Sequence, residues 1–158
     1  MVFMESLFWN VRGAKGSEKQ LDLSRFLRIH KPAFVSLLET KLDKTNLQVL
    51  GKKINFLNSS YLTTDGRICI LWNKDIVDIT VIEHSTQHVH CQVFCKRTLC
   101  TLHCTTVYAS NIFSERLTLW HTLRSLSFGL NGSPWMVGGD FNEVRFSSEK
   151  VGGLPVHA

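Results

Sequence analysis

Four short apolar runs each end on polar residues, and this pattern constrains the fold of the 158-residue chain more than any other sequence feature. Each run has the length of a buried strand. The polar residues at their ends are Asn10, Glu39, Tyr108 with Asn111, and Asp140 with Asn142. If the four strand ends meet at one rim of a layered β structure, they supply two carboxylates and several amides around a small polar hollow.

Three segments with helical spacing separate these runs. A capping box of Ser17 and Gln20 predicts where the first helix begins, and Pro32 predicts where it stops. Asp43 is a candidate cap for a second, short helix, and Ser114 is a candidate cap for a third. In the third helix, Leu117, Trp120 and Leu123 are predicted to share one face.

The middle of the chain is typical of antiparallel strands. Residues 60–82 alternate like a meander with a turn at residues 64–66, and a second hairpin is predicted around Arg97 and Thr98. Together with the helices, these strands predict an α/β fold: a two-layer β-sandwich flanked by helices on its outer faces.

Composition narrows the choice of compartment and partner. The 18 Lys and Arg residues outnumber the 13 Asp and Glu residues, which favours a polyanionic partner. No run reaches the roughly 18 apolar residues of a membrane span, and there is no signal-peptide pattern. We therefore expect an intracellular protein without a membrane partner. The nucleus is compatible with this expectation, and the five cysteines are expected to be reduced thiols.

The polar strand ends suit a hard metal ion and phosphate chemistry. Mg²⁺ prefers one or two carboxylates together with water and substrate phosphate, and Mn²⁺ accepts similar ligands. One carboxylate can hold the metal while the other orients or deprotonates a water molecule. Each residue also has a simpler interpretation. Asn10 and Asn142 could be ordinary turn formers, and Glu39 could form a surface ion pair with Lys41.

A zinc site among the cysteines and histidines of residues 84–104 is disfavoured by geometry. A turn at Arg97 and Thr98 pairs Cys95 with Cys100 and Cys91 with Cys104. The two pairs then lie about 13 Å apart along the strands. One tetrahedral zinc ion cannot span them, so we expect small buried thiols and no zinc.

Four segments resemble ordered motifs of the endonuclease/exonuclease/phosphatase superfamily. The segments are residues 9–13 (WNVRG), 38–41 (LETK), 107–111 (VYASN) and 138–144 (GGDFNEV). Their closest likeness is to the endonuclease domain of plant LINE-type (non-LTR) retrotransposons. The resemblance implies a deoxyribonuclease I-like fold and Mg²⁺-dependent hydrolysis of phosphodiester bonds in DNA, with contacts to the phosphate backbone.

The resemblance also implies roles for the residues that match the motifs. Glu39 would be the principal metal ligand, and Asn10 would support the metal and phosphate site. Tyr108 and Asn111 would contact the scissile phosphate.

The last motif carries the implied water-activating group. Asp140 would orient or deprotonate the attacking water, and Asn142 would hold substrate and Asp140 in register. Arg12 stands where abasic-site repair enzymes carry Asp, which fits the retroelement branch better than a repair enzyme.

The C-terminal segment departs from the family pattern. Members of the superfamily end with a Ser-Asp-His type motif, and His157 has no Asp beside it. The expectation is a single truncated domain over residues 1–158, incomplete in its C-terminal half, with impaired or lost cleavage. Two alternatives stay open: a non-catalytic nucleic-acid-binding remnant and a phosphatase of the same superfamily. The basic residues weighed as phosphate contacts are Lys52, Lys53, Lys96, Arg97 and Arg116.

Overall fold

A computed structural model describes residues 4–144 of the chain, so His157 lies outside the described residues. Within them the elements are β1 (Ser6–Asn10), α1 (Ser17–His30), β2 (Phe34–Leu38), α2 (Lys44–Lys53), β3 (Ser59–Leu62), β4 (Ile68–Trp72), β5 (Val77–His84), β6 (His88–Cys95), β7 (Cys100–Tyr108), α3 (Phe113–Gly129) and β8 (Trp135–Asp140). Among these helices, none combines the length and apolar character that a membrane crossing requires.

The strands form two four-stranded sheets, which confirms the predicted two-layer α/β sandwich. The first sheet has the order β1-β2-β4-β3, and the second has the order β5-β6-β7-β8. β1 pairs parallel with β2, and β8 pairs parallel with β7, while the other pairs are antiparallel. Parallel pairing brings the ends of β1 and β2 to one rim of the first sheet and the ends of β7 and β8 to one rim of the second.

The hydrophobic core has two main layers because the central strands are buried on both faces. In β2, Val35 and Leu37 pack towards α1 and α2, whereas Phe34 and Leu38 pack between the sheets. Side chains alternate across a strand with a period of two, so one continuous apolar run serves both layers.

Close contacts hold the two sheets together. The buried hydroxyls of Ser36 in β2 and Thr106 in β7 lie 2.7 Å apart, one in each sheet. A Cβ at Gly138 would come within 2.7 Å of the Phe8 ring, so only glycine fits here without a shift. The sheets are therefore closely packed along β1 and β8, the strands that carry Asn10 and Asp140.

The helix caps differ in part from expectation. Asp43 caps α2 as predicted, since its side chain accepts a 2.8 Å hydrogen bond from the backbone N–H of Asn46. The capping box of Ser17 and Gln20 is wrong. α1 is capped by Gly16 without a side-chain bond, and Gln20 is buried and donates instead to the Ala14 carbonyl at 2.9 Å.

Helix α3 buries the face of Leu117, Trp120 and Leu123 only in part. Leu119 is buried against the second sheet and Leu123 packs against the same cluster, while Leu117 and Trp120 are 43% and 37% exposed. The helix begins after Ile112, which makes Ser114 a helical residue and not the cap. Apolar side chains are spread around this helix, so periodicity alone does not select its buried stripe.

The predicted meander over residues 60–82 is correct only for its first hairpin. β3 pairs with β4, but β4 and β5 belong to different sheets. The second predicted hairpin has the expected register: Cys95 pairs with Cys100, and Cys91 pairs with Cys104. In residues 4–144, no group of three or more His, Cys, Asp or Glu side chains converges on a common metal position.

Candidate active site

The first part of the site joins the two sheets at the ends of β1 and β8. Ser6, Phe8 and Asn10 share the face of β1 that meets the second sheet, where Ser6 contacts Met136. At the end of this face, Asn10 Nδ2 donates a 2.8 Å hydrogen bond to Asp140 Oδ2. Asn10 Oδ1 also accepts from the Arg12 backbone N–H at 3.1 Å, so Asn10 both shapes its turn and fixes the carboxylate.

The turn after β8 supplies the second hold on Asp140. The backbone N–H of Asn142 donates to Asp140 Oδ1 at 3.0 Å, so each carboxylate oxygen of Asp140 accepts one hydrogen bond. Asn142 Nδ2 donates to the Ala109 carbonyl at 2.6 Å, and Ala109 N–H donates to the Asp140 carbonyl at 2.9 Å. These bonds connect the segments that follow β7 and β8.

Glu39 follows β2 in a left-handed backbone conformation, with φ of 53°. This conformation is unfavourable for a residue other than glycine and must be held by its surroundings. The Glu39 carbonyl accepts from Gly13 N–H at 2.6 Å. Next to it, the buried Thr40 hydroxyl donates to the Gly66 carbonyl at 2.7 Å. The Glu39 side chain is 27% exposed, and one oxygen lies 3.6 Å from Lys41 Nζ, as the ion-pair interpretation expected.

Glu39 lines an open cleft of about 530 Å³. The same cleft is lined by two further residues predicted for the site, Tyr108 and Asn111, and by two cations, Lys41 and Arg67. Asn111 is exposed at its rim. Asp65 and Glu115 line it as well, so three carboxylates, a phenol, an amide and two cations face one space. This set suits a hard cation, which would in turn attract an anionic substrate.

Tyr108 connects the cleft with Asp140. It lies at the end of β7, directly opposite Asp140 in the parallel register. Burial, followed by the negative charges of Glu39 and Asp140, raises the pKa of the Tyr108 hydroxyl, and the positive charge of Arg67 opposes this rise. The phenol therefore keeps its proton at neutral pH and can donate a hydrogen bond to a phosphate oxygen.

The predicted site residues thus form two neighbouring groups. Asn10, Asp140 and Asn142 are linked by direct hydrogen bonds, whereas Glu39, Tyr108 and Asn111 share the cleft. No hydrogen bond of the described residues joins Glu39 to Asn10. Tyr108 is the link between the groups, because both carboxylates act on its hydroxyl.

The donor set fits Mg²⁺ held partly by substrate. Glu39 offers a partly exposed carboxylate, and Asn10 Oδ1 accepts a single hydrogen bond and keeps a lone pair. Mg²⁺ is usually bound through one or two carboxylates and completed by water and phosphate. Such a site needs no closed cage of protein ligands, and Glu39 and Asn10 would each hold the ion through one side-chain oxygen.

Two arginines have positions that the sequence does not predict. Arg67 was not singled out, although β4 runs antiparallel to β2 and so brings the turn before Ile68 to the rim where Glu39 lies. Arg116 was weighed as a phosphate contact, but its residue is only 6% exposed, and its Nη2 lies 2.7 Å from Glu143 Oε2. A guanidinium enclosed in an ion pair cannot also contact the DNA backbone.

Comparison with known proteins gives a family and a fold. A sequence profile of the "Endonuclease/Exonuclease/phosphatase family" matches residues 7–155. A search of curated proteins found no match. Among solved structures, an endonuclease/exonuclease/phosphatase family protein of Bacteroides thetaiotaomicron superposes with a TM-score of 0.65 at 16% identity, over 87% of this chain and 62% of that one.

Two other solved structures are named for an activity or a ligand. Mannosyl-6-phosphatase of Bacteroides thetaiotaomicron VPI-5482 has a TM-score of 0.63 at 16% identity, covering 87% of this chain and 64% of that chain. TDP2 of D. rerio, complexed with a single-strand DNA product, has a TM-score of 0.60 at 16% identity, covering 88% and 60%. At these identities the likeness shows the fold, the expected deoxyribonuclease I-like arrangement, and this chain spans less than two thirds of each neighbour's length.

Proposed function

Because the chain belongs to the endonuclease/exonuclease/phosphatase family, we propose that it hydrolyses phosphodiester bonds in DNA with the help of Mg²⁺ or Mn²⁺ bound at Glu39 and Asn10. One observation carries the proposal. Asp140 is fixed by Asn10 across the sheets, while the neighbouring Tyr108 shares a cleft with Glu39. Two carboxylates that both act on one phenol suit hydrolysis of a phosphate ester, in which one would hold a metal ion and the other would orient water.

Asp140 is the residue proposed to act on water. Each of its oxygens already accepts one hydrogen bond, from Asn10 and from the Asn142 backbone, so its orientation is set before substrate binds. The remaining lone pairs can accept a proton from a water molecule aligned with the phosphorus atom. Asn142 keeps this carboxylate in place through its backbone N–H and ties it to the segment after β7 through its side chain.

Tyr108 and Asn111 are proposed to bind the scissile phosphate. Both line the cleft, and both offer a proton to an anionic oxygen. Charge-assisted hydrogen bonds of this type stabilise the growing negative charge of the transition state. When bound to Glu39 and Asn10, Mg²⁺ would supply Lewis-acid polarisation of the same phosphate.

DNA is the substrate we propose within the family. Lys41 and Arg67 line the cleft, each 3.6 Å from a carboxylate, Glu39 and Asp65 respectively. Both side chains are largely exposed and can turn towards phosphates on either side of the scissile one. One structural neighbour, D. rerio TDP2, is known with a DNA product. The motifs at residues 9–13 and 107–111, together with Arg12, favour the plant LINE retrotransposon branch, which would include action in the nucleus.

The rate of cleavage by these 158 residues is part of the proposal. No Ser-Asp-His motif occurs among them. A histidine that protonates or stabilises a reacting phosphate commonly contributes about 10²- to 10⁴-fold in rate. We therefore propose that these 158 residues alone cleave slowly, and the assay must detect rare nicks.

A supercoiled-plasmid nicking assay tests the proposal. Nicking is expected with Mg²⁺ or Mn²⁺ and is expected to stop with a chelator. Glu39→Gln and Asp140→Asn should each lower the rate by at least about 100-fold, because each removes a charge from the reacting centre. Asp75→Asn is the matched control, since Asp75 is exposed and follows β4 at the opposite end of the first sheet.

Other results of the same assay would contradict the proposal in distinct ways. Nicking that persists in both Glu39→Gln and Asp140→Asn would exclude these residues from the reaction. Salt-sensitive DNA binding without metal-dependent nicking would support a nucleic-acid-binding protein instead. Phosphate release from a phosphomonoester, with plasmid left intact, would support a phosphatase.

A further inference from the structure

Arg116 is a buried cation close to the candidate active site but outside the cleft. It lies in the first turn of α3. Its Nη2 forms the 2.7 Å ion pair with Glu143, and its Nη1 donates to the Ser110 carbonyl at 2.9 Å. One guanidinium therefore bridges the segment that follows β7 and the segment that follows β8.

Both partners of Arg116 are chain neighbours of predicted site residues. Ser110 precedes Asn111, which lines the cleft, and Glu143 follows Asn142, whose backbone N–H binds Asp140. Asn142 itself has a left-handed backbone, with φ of 46°. Asn adopts this conformation more readily than other residues with a side chain, and the bonds on either side of Asn142 hold the turn in place.

Stability alone does not account for this arginine. The Arg116 side chain is 92% buried, since only 8% of it is exposed, and its Nε has no hydrogen-bond partner among the described residues. Desolvation of a charged pair costs about as much as the pair regains, and apolar residues of similar volume often stabilise a protein as well or better. What the ion pair adds is a fixed geometry between two segments.

We propose that Arg116 is a positioning residue of the active site. Through Glu143 it holds the turn at Asn142 that fixes the Asp140 carboxylate, and through the Ser110 carbonyl it holds the segment that carries Asn111. Arg116 does not contact substrate in this scheme. The inference rests on the proposed function for its effect on rate, but the effect on the Asn142 turn can be measured without any activity.

The kinetic test compares Arg116→Gln, Glu143→Gln and the double variant. Displacing a catalytic group by about 1 Å can cost on the order of 100-fold in rate. Each single variant is therefore expected to lower kcat by about 10- to 100-fold with a much smaller change in KM. The double variant should lose no more kcat than either single variant, because both substitutions break the same ion pair. Arg116→Lys should retain more of kcat than Arg116→Gln. Arg124→Gln should leave kcat unchanged, because Arg124 is an exposed residue of the same helix.

The second test follows the Asn142 backbone N–H by NMR hydrogen exchange. Arg116→Gln and Glu143→Gln are expected to speed its exchange at least tenfold relative to Val93, a buried residue in the middle of β6. Arg124→Gln should not. Glu143→Gln is the milder change and reports on the link if Arg116→Gln does not fold.

The outcomes separate the two proposals. If the parent chain never nicks DNA but Asn142 exchange responds as expected, the proposed function fails and the positioning link stands. If Asn142 exchange is unchanged in both variants, the positioning role is overturned. Additive losses of kcat in the double variant, or a loss expressed only in KM, would likewise overturn it.

Discussion

Asn10 Nδ2 donates to Asp140 Oδ2 at 2.8 Å, although the two residues are 130 positions apart in the chain. The bond spans the gap between the last residue of β1 and the last residue of β8. It links the ends of two strands from different sheets at the point where the candidate catalytic carboxylate stands. The packing of the sandwich and the orientation of Asp140 are therefore coupled.

Removal of this link should slow cleavage. Asn10→Ala deletes the donor to Asp140, and we expect a 10- to 100-fold lower nicking rate, about what misorientation of a catalytic group costs. The control is Asn58→Ala, which removes a hydrogen bond of the same 2.8 Å length, to the Lys74 backbone N–H, at the opposite end of the first sheet. Equal nicking rates for the two variants would contradict the coupling.

Arg67 should contribute to DNA affinity through charge. Arg67→Gln is expected to weaken binding and to reduce the slope of log K against log salt concentration by about 1, the value for one lost phosphate contact. Lys74→Gln serves as the control, because Lys74 follows β4 at the rim away from the cleft. Filter binding or fluorescence anisotropy at several salt concentrations measures both slopes, and an unchanged slope for Arg67→Gln would remove it from the interface.

Gly138 should be intolerant of a side chain. Gly138→Ala places a methyl group 2.7 Å from the Phe8 ring, and overpacking of this kind destabilises by about 1–3 kcal/mol. Gly51 in α2 has open space around its Cα, so Gly51→Ala should stabilise by about 0.5–1 kcal/mol. Urea unfolding measures both values, and a neutral Gly138→Ala would show that Phe8 can move aside.

His90 should make stability depend on pH. Burial, together with the neighbouring His103 and His88, lowers the pKa of His90 below its usual 6.5, while the charge of Glu83 opposes this shift. The unfolded chain therefore binds more protons, so the contribution of His90 is complete above pH 6.5 and is lost as pH falls below it.

Urea unfolding at pH 7.5 and pH 5.5 tests this prediction. The parent chain should lose stability at the lower pH, and His90→Gln should lose less. His121→Gln is the control, because His121 is exposed on α3. The prediction would be wrong if the two variants showed the same pH dependence.

Local pattern was enough to predict most elements of the fold. The strand ends at Asn10 and Leu38 and the hairpin register of Cys91 with Cys104 follow from alternation and turn residues, which are local properties. The passage from β4 to β5 was mispredicted as a hairpin, because both segments alternate alike and the change of sheet depends on long-range packing. How deeply each apolar residue of α3 is buried depends on long-range packing as well.

The candidate site was predictable where a strand ends on a polar residue. That signal led to Asn10 and Asp140, which the structure joins directly. Arg67 and Arg116 carry no such signal. The first reaches the cleft through a turn between antiparallel strands, and the second is a buried charge, an arrangement that sequence patterns predict poorly because charged residues are mostly exposed.

The left-handed backbone at Glu39 has a consequence for protein engineering. Glycine would adopt this conformation without the cost of about 1–2 kcal/mol that other residues incur. A library of variants selected only for survival of heating should therefore enrich Gly at position 39, and the surviving proteins would lack the carboxylate. Thermal resistance and metal-dependent hydrolysis would then be selected in opposite directions at a single codon.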